Sequence, residues 1–98
     1  MVASVTVAYG RIDILVNNAA IFVLKGIDAT VDEWQQILGV NVIGTALVAK
    51  HAVPEMRKVG GGAIINLASI SSFVAQPNYV TYNATKAAVA NMTRCMAL

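Results

Sequence analysis

The chain is short of charge. Only 12% of its 98 residues are charged and 57% are hydrophobic, where a soluble domain averages about 25% charged. A small domain has proportionally more surface than a large one and needs more polar cover, not less. Much of the apolar surface is therefore expected to face something outside these residues: further sequence, a partner subunit or a membrane. The membrane is the weakest of the three. A spanning helix takes about 20 mostly apolar residues, and the best run, Ile37 to Ala49, is shorter and carries Asn41 and Thr45. Met1 to Tyr9 has neither a basic start nor a clear cleavage site for a signal peptide, so a soluble, cytoplasmic protein is the expectation. The single cysteine, Cys95, excludes an internal disulfide, and with the single histidine, His51, it cannot build a zinc site of the usual kind. The net charge is +2, with one basic pair, Arg57-Lys58, and no basic stripe interleaved with aromatics, which argues against nucleic-acid binding.

What is present alternates between helix and strand signals, with no repeat or low-complexity linker. Met1 to Tyr9 reads as the end of a helix stopped by Gly10. Ile12-Asp13-Ile14-Leu15-Val16 is a β-branched, apolar run that suits a strand buried on both faces. Thr30 to Glu33 matches a capping box, with Asp32 and Glu33 suited to the positive helix start. The helix it opens is predicted to run from about Val31 to Arg57, with Pro54 kinking it or marking its last turns, and Gly60-Gly61-Gly62 stopping it. Ala63 to Ala68 reads as a second buried strand, Ser69 to Asn78 as a loop, and Tyr79 onward as a third helix. This order predicts an α/β fold with a parallel sheet. Two parallel strands alone make a poor sheet, because both faces and both edges need cover.

Tyr82 and Lys86 stand four residues apart, on one face of the last predicted helix. A cation within about 4–6 Å of a phenol favours the phenolate, and such a tyrosine can exchange a proton with an alcohol or carbonyl. Taken alone, the spacing is more often a surface or structural pair. Ser69 lies at the end of the second strand, where open α/β sheets bind ligands; Ser71 and Ser72 compete with it, and a loop-forming serine is an equal alternative. Asn41, between Val40 and Val42, reads locally as a buried amide satisfied by a neighbour. Asn17-Asn18-Ala19-Ala20 ends the first strand, where the amides can tie strands together and small residues allow close approach. Trp34, Phe22, Phe73 and Tyr79 are expected as core or pocket-wall residues, with Phe22, Tyr79 and Gln76 beside the site. Cys95 is expected to be a buried small apolar side chain, Met92, Met96 and Val89 core or helix-packing residues, and His51 solvated.

In order, Asp13 to Ala20, Val40-Asn41-Val42, Ile65 to Ser69 and Tyr82-x-x-x-Lys86 resemble the short-chain dehydrogenase/reductase family over essentially the whole chain. The resemblance implies a fragment of a doubly wound, Rossmann-type parallel sheet, with residues 1–98 as a partial NAD(P)-binding domain. It implies that Tyr82 is a general acid/base, and that Lys86 lowers its pKa and holds the nicotinamide ribose. Ser69 would orient the substrate oxygen, and Asn41 would hold a water in a proton relay. Asn17 and Asn18 would stabilise the sheet, with Asn18, Ala19 and Ala20 beside the cofactor. Ala20 replaces the usual closing glycine and Thr85 a common serine. The implied cofactor is NAD or NADP, the substrate a small alcohol or carbonyl compound, and the assembly a homo-oligomer paired through the two long helices. The family's glycine-rich phosphate turn and its C-terminal substrate lid have no counterpart here. Without that turn no helix N-terminus is aimed at the pyrophosphate, so the 98 residues alone are expected to bind cofactor poorly. An inactive remnant of such an enzyme is the alternative expectation. Epimerases and dehydratases share Tyr-x-x-x-Lys but fit Asn41 and Asn17-Asn18-Ala19-Ala20 less well.

Overall fold

The computed structural model describes all 98 residues. Helix α1 (Val2–Tyr9) ends at Gly10, which takes φ 82° and returns its N–H to the carbonyl of Thr6, the left-handed cap that a residue without Cβ adopts at least cost. Strand β1 (Ile14–Asn17) follows. Helix α2 (Val31–Leu38) opens on the expected capping box: Glu33 N–H donates to Thr30 Oγ1 at 3.2 Å, and Thr30 N–H donates to Glu33 Oε1 at 3.0 Å. That backbone donor holds the Glu33 carboxyl below the ordinary glutamate value.

The helix then continues without a break to Lys58, though not as one regular α-helix. Gly39–Gly44 forms a π-helical turn, and α3 covers Thr45–Lys58 with Pro54 near the start of its last turn. Strand β2 (Ala63–Asn66), a 3₁₀ turn at Ile70–Ser72 and helix α4 (Val80–Met96) complete the chain. Asn78, just before α4, has φ 58°, a conformation asparagine tolerates better than most residues.

The strands pair in parallel, Ile14 opposite Ala63 and Asn17 opposite Asn66, joined by the α2–α3 crossover. Both are shorter than predicted. Ile12 is not in β1; it is buried with Ala52 and Met56, and Val2, Val5, Leu15 and Ile64 pack against that cluster. Gly62 lets the chain enter β2 under α3: a Cβ there would lie 2.7 Å from the carbonyl oxygen of Asp13. The expectation of a strand buried on both faces is corrected. Leu15 and Ile64 face the core, but Ile14, Val16 and Ile65 are 65%, 52% and 49% exposed on the other face.

The apolar excess is thus on the outside. A compact 10.3 kDa chain is expected to expose about 5,400 Å², and this one exposes 6283 Å². Its radius of gyration of 15.1 Å likewise exceeds the roughly 13 Å of a compact domain this size. The run Val31–Lys58 is long and apolar enough, by length and composition, to cross a membrane, and so is longer than the Ile37–Ala49 stretch visible in the sequence. In this fold its buried residues, Ile37, Asn41, Thr45, Ala49, Ala52 and Met56, recur every three or four positions, the stripe of a helix packed on a core.

Candidate active site

Helix α4 buries Thr81, Tyr82, Thr85, Lys86 and Val89. Two adjacent rows, Thr81-Thr85-Val89 and Tyr82-Lys86, follow the i, i+4 ridges of the helix. Tyr82 is 7% exposed and Lys86 5%. The ammonium Nζ lies 5.8 Å from the Tyr82 ring centroid, within cation–π reach, and donates to the carbonyl of Leu67 at 2.8 Å. It is therefore fixed just beyond the carboxyl end of β2, where open α/β sheets place ligands. Burial strips water from the charged form and pulls Lys86 below the ordinary lysine value. An ammonium carries three N–H donors, and the bond to Leu67 uses one of them.

The Tyr82 ring is held on two sides. Phe22 stacks on it at 4.6 Å with 14° between the planes, and Tyr79 meets it edge-on at 6.2 Å and 88°. Its hydroxyl makes no hydrogen bond within the chain. The only fully buried side-chain polar atom without a partner is Asn83 Oδ1, so the phenol oxygen of Tyr82 keeps an opening to the outside.

The three serines separate by their partners. Ser71 Oγ donates to Gln76 Oε1 at 2.5 Å, and Ser72 Oγ donates to the carbonyl of Lys86 at 2.7 Å. Ser69 caps the 3₁₀ turn, its oxygen accepting from Ser71 N–H at 3.1 Å and its own N–H donating to Ser72 Oγ at 3.3 Å. Ser71 and Ser72 have committed their hydroxyl protons, and the Ser69 hydroxyl retains its own. The bonds from Lys86 to Leu67 and from Ser72 to Lys86 stitch the tip of β2 to α4 on either side of Ser69.

Asn41 is 1% exposed. Its Oδ1 accepts from Ile21 N–H at 2.8 Å, and its Nδ2 donates to the Ile21 carbonyl at 3.1 Å and to Thr85 Oγ1 at 3.2 Å. Its side chain is thus a buried amide with both donors in use, bracing the loop after β1 against α4. Asn17 Nδ2 donates to Asn66 Oδ1 at 2.8 Å, tying the strand ends; Asn18 is exposed. Asn18 and Ala19 line a cavity of about 440 Å³ between β1 and the Gly39–Val48 stretch, which contains neither Tyr82 nor Lys86. Ala20 is half-buried outside it.

The largest groove, about 640 Å³, lies elsewhere, between α3 and α4, and is lined by Ala49, Val53, Pro54, Met92, Cys95 and Met96 among others. Cys95 is exposed there, not buried as expected. Met96 is 40% exposed on the same wall, and Phe73, 70% exposed, is not a core residue but lines a pocket with Gln76 and Tyr79. The sequence reading missed Thr81, which is fully buried and donates to the carbonyl of Val23. Its spacing with Thr85 and Val89 was the available signal.

The family model described as enoyl-(acyl carrier protein) reductase matches residues 1–98. Human dehydrogenase/reductase SDR family member 4 is 39% identical over 100 residues, covering all of this chain and 36% of that protein. The chain belongs to the short-chain dehydrogenase/reductase family. Among solved members, the fold is similar to gluconate 5-dehydrogenase from Burkholderia cenocepacia, determined in complex with NADP and tartrate: TM-score 0.91, 38% identity, 97% of this chain and 38% of that one. It is equally similar to acetoin dehydrogenase from Salmonella typhimurium, with TM-score 0.91 and 34% identity over 98% of this chain and 39% of that one. The α/β architecture is thus that of Rossmann-type short-chain dehydrogenases, and the chain spans somewhat over a third of the length of these relatives.

Proposed function

We propose that the protein carrying this segment is an NAD(P)-dependent oxidoreductase that interconverts an alcohol and a carbonyl compound, with Tyr82 as general acid/base. The observation that carries the reading is a buried phenol whose hydroxyl is unpartnered and open, beside an ammonium held at the strand tip 5.8 Å from its ring. The cofactor fits the groups present: Lys86 has two N–H donors left for ribose hydroxyls, and Asn18 and Ala19 leave the end of β1 open. A bound nicotinamide cofactor supplies or accepts the hydride. In the reducing direction Tyr82 gives its phenolic proton to the substrate oxygen as that oxygen gains electron density, and in the oxidising direction it takes the alcohol proton back. Ser69, whose hydroxyl proton is uncommitted, donates to the substrate oxygen and orients it. Both N–H donors of the Asn41 amide are taken by Ile21 and Thr85, so a water it holds in a proton relay donates to one of its oxygens, of which the main-chain one already accepts from Thr45 Oγ1 at 3.2 Å.

The apolar α3–α4 groove supports self-association by helix pairing, which light scattering of the full-length protein reads directly. Similarity to a gluconate and an acetoin dehydrogenase supports small hydroxy and keto compounds as the first substrates to screen with NAD(H) and NADP(H). In the active pairing, Lys86→Met should weaken cofactor binding and slow turnover together. Cofactor affinity and turnover both unchanged in Lys86→Met would remove Lys86 from the site.

A further inference from the structure

The loop between β1 and α2 has no regular structure, yet one short stretch of it is pinned at both ends. Ile21 exchanges two hydrogen bonds with the Asn41 amide, its N–H donating at 2.8 Å and its carbonyl accepting at 3.1 Å. Farther along, the carbonyl of Val23 accepts from Thr81 Oγ1, Lys25 N–H donates to Thr81 Oγ1 at 3.3 Å, and Thr81 N–H donates to the carbonyl of Lys25 at 3.5 Å. Both anchoring side chains are sealed: Asn41 is 1% exposed and Thr81 0%. Both anchors are also tied to the Tyr82 turn of α4: Thr81 is its chain neighbour, and Asn41, from the π turn, donates to Thr85, whose hydroxyl in turn donates to the carbonyl of Tyr82.

Phe22 lies between the anchors, 66% exposed. Its fixed contact is the near-parallel stack on Tyr82 at 4.6 Å. With the Tyr79 edge and the Lys86 ammonium, it surrounds the Tyr82 ring and leaves the hydroxyl end open.

We infer that Phe22 is a positioning residue: the pinned Ile21–Lys25 stretch presses its ring on one face of Tyr82, fixing where the phenol oxygen points and keeping water off that face. The inference rests on Tyr82 being the acid/base. A reacting group displaced by about 1 Å can lose roughly a hundredfold in rate. Phe22→Ala in the full-length holoenzyme should therefore lower kcat by about 10- to 100-fold while leaving the cofactor dissociation constant unchanged. Nitration of Tyr82 by tetranitromethane, mapped by peptide mass spectrometry, should accelerate in the same variant. Phe22→Tyr, which keeps a stacking ring, should restore both. The urea midpoint of each variant, measured alongside, separates a folding defect from a loss of positioning. Turnover of Phe22→Ala within about twofold of the parent would overturn the positioning role. Tyr82→Phe retaining full activity would sink the acid/base reading instead, and in that case an unchanged nitration rate in Phe22→Ala overturns the clamp independently.

Discussion

Asn41→Ala removes three hydrogen bonds from a side chain that is 1% exposed. Each such bond contributes about 1 kcal/mol net, which sets a loss of roughly 3 kcal/mol before relaxation. Two features lower that cost. Ile21 is only half-buried, so water reaches its orphaned N–H and carbonyl and lowers the cost. Thr85 is fully buried but keeps its donor bond to the carbonyl of Tyr82 at 2.9 Å, so it loses an acceptor role alone. The small cavity left behind adds to the loss, and about 2–4 kcal/mol is the expected range. Urea unfolding of the full-length protein measures it as a lower midpoint at an unchanged slope, and hydrogen exchange at the Ile21 amide should accelerate in parallel. Asn41→Asp should be at least as damaging, because it keeps the acceptor for Ile21 N–H, loses both donors and places a carboxylate where water does not reach. A loss below about 0.5 kcal/mol for Asn41→Ala, the size of an ordinary surface substitution, would refute the bracing role.

Gly62→Ala should destabilise by about 1–3 kcal/mol, because the added Cβ meets the Asp13 carbonyl oxygen at 2.7 Å and the Met56 side chain at 3.0 Å; differential scanning calorimetry checks it, and an unchanged Tm would contradict it. The lowered pKa of Lys86 fixes a sign for pH. Its folded value lies below the ordinary 10.5, so the unfolded chain binds more protons in the window just under 10.5. The cost of burying the charged ammonium is constant below the folded pKa and is relieved as pH rises through that window. The stability difference between the parent and Lys86→Met should therefore move in the parent's favour as pH rises through that window, and a flat difference would contradict it.

Much of this was legible in local chemistry. Gly10 and the Thr30–Glu33 box mark helix ends because they satisfy backbone groups within one turn, and the structure uses both. The alternation of strands and helices gave the parallel pairing. The π turn at Gly39–Gly44 was not legible. It carries Asn41, whose amide reaches Ile21 and Thr85, residues 20 and 44 positions away, and local propensity carries no trace of such partners. Strand ends were misplaced because Ile12 is apolar for a different reason, its place in the α1–α3 core. The outer face of β1 is open within these 98 residues, which span somewhat over a third of the relatives' length; an apolar run states what a strand can bury, and the cover for that face is not among them. At the site, Tyr82 and Lys86 were visible as a helical pair. Thr81 was not, since a buried threonine on an apolar ridge looks like filler until its loop partners are known.

The most direct measurement is the kcat/KM of Tyr82→Phe against the parent, using the first alcohol or carbonyl substrate found and with cofactor affinity measured alongside. Removing one hydroxyl while keeping the ring should leave the Phe22 stack and cofactor binding intact. It should lower kcat/KM by about 10²- to 10⁴-fold, the usual worth of a positioned acid/base. A variant that turns over within about tenfold of the parent, too small a loss for the sole proton-transfer group, would contradict the role assigned to Tyr82.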